Sequence, residues 1–159
     1  MKKKLFYLLL FIFSNNISSQ SLDDTFDWIS RNSKGRETVD YDYNTKKLQI
    51  ISFRGDWISV EEFNPKDIKT IKVSYKKDNW NSIQLHYDLS KDIYYSTYSL
   101  DSEFNEKPGT RKNYKNGIVY IDLYLNVDKE KIEQFKNAFL NIFKKLNIKI
   151  TDDDEMFKD

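Results

Sequence analysis

The sequence predicts an α+β fold: an N-terminal helix, an antiparallel sheet of about seven strands or a partly closed barrel, and a C-terminal amphipathic helix packed on it. Three observations predict it. Seven strand-like runs lie between residues 39 and 125, separated by turn residues. One long stretch after them repeats its apolar residues at helical spacing. The strand runs follow one another without intervening helices, which segregates α from β and argues against a parallel sheet.

Ser21 caps the first helix, Asp24 reaches back toward its open backbone donors, and Asp23 and Asp24 suit the positive end of the dipole. The helix is expected from about Leu22 to Asn32, with Leu22, Phe26 and Ile29 on one stripe and Gly35 at its exit. Val39 to Tyr43 alternates apolar with acidic residues, as a half-buried strand does. Lys47 to Phe53 changes parity, which suggests a bulge or burial on both faces. Arg54-Gly55-Asp56 turns into Trp57 to Phe63, and Asn64-Pro65-Lys66-Asp67 turns into Ile68 to Tyr75, so these read as successive antiparallel strands. Ile83, Leu85 and Tyr87 alternate in a fifth run, Asp92 to Ser99 is a sixth, and residues 100–116 form the longest polar connection. Ile118 to Leu125 is the seventh, with Val119, Ile121, Leu123 and Leu125 on one face. Asp128 then caps a helix to about Leu146, whose Ile132, Phe135, Phe139, Ile142, Phe143 and Leu146 share one side. Burying those six side chains supplies roughly 9 to 18 kcal/mol of gross transfer energy, so the helix must dock on the sheet.

The ends of the chain carry a different signal. Lys2-Lys3-Lys4, the apolar run Leu5 to Phe13 and the polar run Ser14 to Ser19 have the three parts of a secretory leader. Nine helical residues rise only about 14 Å against a hydrocarbon core of roughly 30 Å, so a removable leader fits better than a membrane span. The expected organisation is a signal peptide over 1–19, one α+β domain over 20–150 and an acidic disordered tail over 151–159. Loss of the three lysines takes the formal charge from +1 to −2. No basic footprint for nucleic acid remains. The chain has no Cys, which excludes disulfides, thiolate metal sites and lipid attachment through a cysteine. The expectation is therefore an exported product, periplasmic or secreted, without a stable membrane anchor.

Seven antiparallel strands closed by a terminal helix, with Asn64-Pro65-Lys66-Asp67-Ile68 leading into a strand, resemble the pleckstrin-homology-like barrel over residues 38–147. That resemblance implies a helix plugging one open end of the barrel. Leu22 to Ile29 and Phe135-Lys136-Asn137-Ala138-Phe139 are also similar in texture to small uncharacterised exported proteins of Gram-negative bacteria, a likeness that implies no activity. Gly55-Asp56-Trp57 has the Gly-x-Trp form of lipocalins, which would imply a hollow calyx and a small apolar ligand.

Chemistry is sparse. Asp40 and Asp42 stand about 7 Å apart on one strand face, the spacing of any outward polar pair. Glu61 and Glu62 point to opposite faces. His86 is the single histidine, so neither a histidine metal cage nor a nucleophile with its base is expected, and the four glycines are too scattered to cradle phosphate. Arg54-Gly55-Asp56 is read as turn chemistry. No catalytic residue, metal or cofactor is assigned. Aromatic residues at strand ends or on the face opposite Ile93 and Tyr95, namely Trp57, Trp80, Tyr94 and Tyr98, are the candidate ligand-binding set, since each joins an apolar face to a polar tip. The sequence thus points to a non-catalytic domain binding a protein, peptide or small ligand, with a lipocalin-like carrier of an apolar ligand as the alternative.

Overall fold

A computed structural model describes residues 21–75 and 80–152, excluding the side chains of Trp80 and Asp152. The expected leader over 1–19 and residues 153–159 of the expected tail lie outside the described residues.

Helix α1 (Leu22–Asn32) begins with the capping box the sequence implies. The Asp24 backbone N–H donates to Ser21 Oγ at 3.0 Å, and the Ser21 N–H donates to the Asp24 carboxylate at 2.9 Å. Its buried stripe is Thr25, Phe26 and Ile29. Five strands form a first sheet in the order β1 (Glu37–Asp42), β2 (Lys47–Arg54), β3 (Trp57–Phe63), β6 (Tyr94–Leu100), β7 (Lys112–Lys115). Four form a second, β8 (Tyr120–Asn126), β5 (Trp80–Tyr87), β4 (Ile68–Ser74), β9 (Thr151–Asp152). Every pairing is antiparallel except that of β9 with β4. Helix α2 (Lys129–Lys145), capped by Asp128 accepting from the Lys131 N–H at 2.8 Å, packs on β4 and β5 and touches α1. The protein therefore has an α+β fold with an N-terminal helix, antiparallel strands and a C-terminal helix packed on them.

Several expectations are corrected within that plan. The strands divide between two sheets, and β3 and β4 do not pair. Asn64 caps a 3-10 turn over Pro65–Asp67, accepting from the Lys66 N–H at 3.0 Å. Pro65 has no N–H to offer a ladder, so the chain leaves the first sheet here and β3 takes β6 as its neighbour. The polar connection 100–116 contains β7, whose Lys-Asn-Tyr-Lys sequence has no apolar alternation to betray it. The strand exists because β6 offers an edge and Tyr114 stacks on Tyr95 at 4.7 Å. Thr151 and Asp152, assigned to the tail, pair with Thr70 and Ile71. Val119, expected on the inward face, is 51% exposed because the strand proper begins at Tyr120.

The interior is filled. Ile50, Ile71 and Leu85 are buried among Phe63, Phe135, Phe139 and Phe143. Leu48, Ile50 and Phe63 face the same cluster as Ile83, Ile121 and Leu123 from the second sheet. The two sheets do not join into one closed barrel, which weighs against a lipocalin-like calyx. Among the described residues no helix is long and apolar enough to cross a membrane.

Candidate functional site

Of the four aromatic residues singled out by sequence, the three whose side chains are described do not form one surface. Trp57 stands at the β2–β3 turn, 60% exposed, opposite Arg54. Tyr94 is exposed at the far end of β6, with Lys115 Nζ 5.5 Å from its ring centre. Six residue steps along the strand separate that end from Leu100, the neighbour of Ile58, so the two rims lie about 20 Å apart. Tyr98 is buried, under the guanidinium of Arg111. Trp80 opens β5 opposite Asn126, and its side chain lies outside the described residues.

Tyr98 belongs instead to a structural cluster on one face of the first sheet. Val60, Tyr98 and Leu100 are buried there, with Ile51 and Ile58 packed beside them. Glu62 is 6% exposed on the same face and is held by three groups: Lys47 Nζ at 2.8 Å, Gln49 Nε2 at 3.0 Å and Arg111 at 3.0 Å. Burial alone would raise its pKa, but the bonds from Lys47, Arg111 and Gln49 outweigh that and hold it below the usual carboxylate range. Arg111 also pairs with Glu106, and Phe104 meets Phe53 edge-on at 6.1 Å. These contacts fasten residues 101–111 over the sheet.

A more open arrangement lies on the second sheet. Strand β8 alternates, with Ile121, Leu123 and Leu125 buried and Tyr120, Asp122 and Tyr124 on the other face. Tyr120 and Tyr124 are 39% and 41% exposed. Behind them β5 brings His86 against Tyr120, with ring centres 4.9 Å apart, and Gln84 against Asp122, with Nε2 3.4 Å from Oδ2. His86 Nε2 lies 3.3 Å from Gln84 Oε1, so the imidazole, the amide and the carboxylate form a chain. Asp122 Oδ1 is buried and has no hydrogen-bond partner among the described residues. Asp122 also acts on Glu61: burial raises the Glu61 pKa, and the charges of Glu37 and Asp122 raise it further. The region gathers the carboxylates of Asp122 and Glu61, with tyrosines at its margin.

Other sequence candidates have structural employment. Arg54 of the Arg54-Gly55-Asp56 turn reaches back to Glu37, which Ser52 shares, so the turn does not present a free arginine. Gly55 takes φ 62, the left-handed backbone this tight hairpin demands. Asp40 is exposed and accepts from the adjacent Tyr41 N–H, whereas Asp42 caps the β1–β2 turn through Asn44 and Thr45. Among the described residues no three His, Asp or Glu side chains gather as a metal site.

Comparison with known proteins found nothing similar: no family model, no characterised protein and no solved structure matches the chain. The site therefore rests on its own geometry. Its signal was present in the sequence, since the parity that sends Ile121 and Leu123 inward sends Tyr120, Asp122 and Tyr124 outward. What periodicity does not reveal is that β8 lies at a sheet edge beside His86.

Proposed function

We propose that this chain is an exported, non-catalytic binding domain that works in the periplasm or outside the cell and receives a protein or peptide segment on the Tyr120–Asp122–Tyr124 face. The observation that carries the reading is the pair of half-exposed tyrosines flanking Asp122, whose Oδ1 has no hydrogen-bond partner among the described residues. Tyrosine offers a large contact area at low conformational cost and recurs where proteins meet. Export rests on the leader-like sequence from Lys2 to Ser19. The likeness to pleckstrin-homology-like barrels belongs with this proposal, on the strength of two mainly antiparallel sheets and a docked terminal helix. A carrier of a small apolar ligand fits less well, because such a ligand needs an enclosed apolar cavity of several hundred Å³.

The test has two arms. The chain purified from its native cell envelope should begin near Gln20 by mass, and a chain still beginning at Met1 would overturn export. A photo-crosslinking residue placed at Tyr124 should capture a partner that the same residue at Tyr43 does not. Equal capture at both positions, or none at Tyr124, would overturn the binding face.

A further inference from the structure

We infer that the groove between the end of α2 and residues 147–150 is a second docking site, and that it takes a peptide segment whose apolar anchor side chain is flanked by Asp or Glu. The site uses none of the residues of the Tyr120–Asp122–Tyr124 face and stands without it.

The groove follows from the way α2 stops. Asn147 takes φ 56, the left-handed backbone that ends helices. The Ile148 N–H donates to the Phe143 carbonyl at 2.8 Å, and the Asn147 N–H donates to the Lys144 carbonyl at 3.1 Å. These two bonds turn the chain back beside the last turn of the helix and bring Ile148 to Phe143, the apolar contact that such caps carry. The returning segment is held at its far end, where Thr151 and Asp152 pair with β4. Between it and the helix lies a groove of about 400 Å³, open to solvent.

Its floor is apolar. Leu140, Ile148 and Ile150 are partly buried around Phe143, which is 1% exposed. Its charge is of one sign: Lys144 stands on the helical wall, Lys149 on the facing wall, both are exposed, and no Asp or Glu lines the groove. Neither lysine side chain has an ion pair or hydrogen bond among the described residues. The cap occupies the Phe143 and Lys144 carbonyls, so the negative end of the helix is not left bare beside these cations. A cleft of similar size between Ser90 and Gly117 differs on this point. The cations beside it already have partners, Lys91 in Asp88 and Lys115 in Asp92.

Charge and depth together select the occupant. Two cations without counter-charges favour an acidic partner, and a recessed floor favours a projecting side chain. A flat lipid surface would meet the lysines without reaching Phe143, and a fatty acid would leave much of its chain in water in a groove this open. A peptide with Phe, Leu or Met between two acidic residues meets both demands. Its anchor fills the floor, and its carboxylates accept from Lys144 and Lys149 on opposite walls.

The experiment follows the amide NMR signals of the full mature chain during titration with three short glycine–serine peptides, whose centres are Asp-Phe-Asp, Lys-Phe-Lys and Asp-Ser-Asp. The Asp-Phe-Asp peptide should shift Leu140, Lys144, Ile148 and Lys149 and bind about tenfold more tightly than Lys-Phe-Lys, the scale of two exposed ion pairs replaced by two repulsions. Asp-Ser-Asp should lose that binding. Lys149→Glu, at an exposed position outside the helix, should bring the two phenylalanine peptides to parity while the rest of the spectrum stays unchanged. Equal affinity for the two phenylalanine peptides in the wild type, or full binding of Asp-Ser-Asp, overturns the inference. Shifts confined to Tyr120, Asp122 and Tyr124 also overturn it, and leave the proposed binding face standing. Tenfold tighter binding of Asp-Phe-Asp to Phe157→Ser would overturn the external partner in favour of the chain's own segment Asp153 to Phe157. Cosedimentation with phosphatidylglycerol vesicles in place of peptide binding would do so in favour of a lipid surface, and movement of the same signals on dilution of the chain alone in favour of a second copy.

Discussion

The guanidinium of Arg111 lies 4.0 Å from the centre of the Tyr98 ring, stacked on the aromatic face while its Nη1 donates to Glu62 Oε1. One side chain from a long connection thus completes two incomplete environments on the sheet below it, a ring face and a buried carboxylate. Arg111→Ala should cost about 1–3 kcal/mol, because Glu62 keeps Lys47 and Gln49 but loses a charge-assisted bond at a buried position. Urea denaturation measures the loss. Amide exchange across residues 101–110 should quicken in the same variant, and a change in stability without that loosening would mean the loop is held elsewhere.

Acid and neutral stability should respond to two glutamates in opposite senses. Burial, reinforced by Glu37 and Asp122, raises the Glu61 pKa above its ordinary 4.5. The folded state therefore holds that proton more tightly than the unfolded chain, and the stabilisation present below 4.5 is lost as pH rises through the folded value. Glu62 is lowered, so its contribution is present above 4.5 and disappears as pH falls through its folded value. Glu61→Gln should raise stability near neutral pH relative to wild type and remove the fall that begins above 4.5, whereas Glu62→Gln should lower stability near neutral pH. Denaturation midpoints collected from acid to neutral pH check both signs.

The Tyr87 hydroxyl is buried and has no hydrogen-bond partner among the described residues. Burial raises its pKa strongly, with Glu61, Asp67 and Tyr95 adding to the shift. Removing an unpaired buried hydroxyl relieves its desolvation while keeping the ring, which meets Phe63 edge-on at 6.1 Å. Tyr87→Phe should therefore be neutral or stabilising by up to about 1 kcal/mol. Thermal unfolding of the two proteins decides it, and a clear destabilisation would show that the hydroxyl is bonded in solution.

Phe139 sits at the middle of α2 with no exposed surface, packed among Ile132, Phe135, Ile142 and Phe143. Phe139→Ala should cost about 3–5 kcal/mol, a large share of the 5–15 kcal/mol that stabilises a typical domain. Calorimetry should show a much lower melting temperature, and a loss below 1 kcal/mol would mean that α2 docks loosely.

The amino-acid sequence by itself determined the elements whose signal is local. Ser21 with Asp24, Asp128 before an apolar stripe, and the alternation of Ile83, Leu85 and Tyr87 each depend on neighbours within one or two turns. The helices, most strands and much of the core were legible from them. The α+β class followed, because the order of elements is a property of the chain. Pairing is another matter. Nothing near Phe63 states that its neighbour is Tyr95, and the four residues of β7 become a strand only because β6 offers unpaired backbone groups across a long loop. The aromatic residues met the same limit. Tyr98 and Trp57 look alike in sequence, yet one lies beneath Arg111 and the other projects from a turn, since burial depends on which distant segment folds over a residue. Tyr120, Asp122 and Tyr124 had a legible direction but an illegible address: periodicity turned them outward, and only the strand order β8-β5-β4-β9 left them at an edge beside His86. Direction follows from the two-residue repeat of a strand, whereas position follows from contacts between residues far apart in the chain.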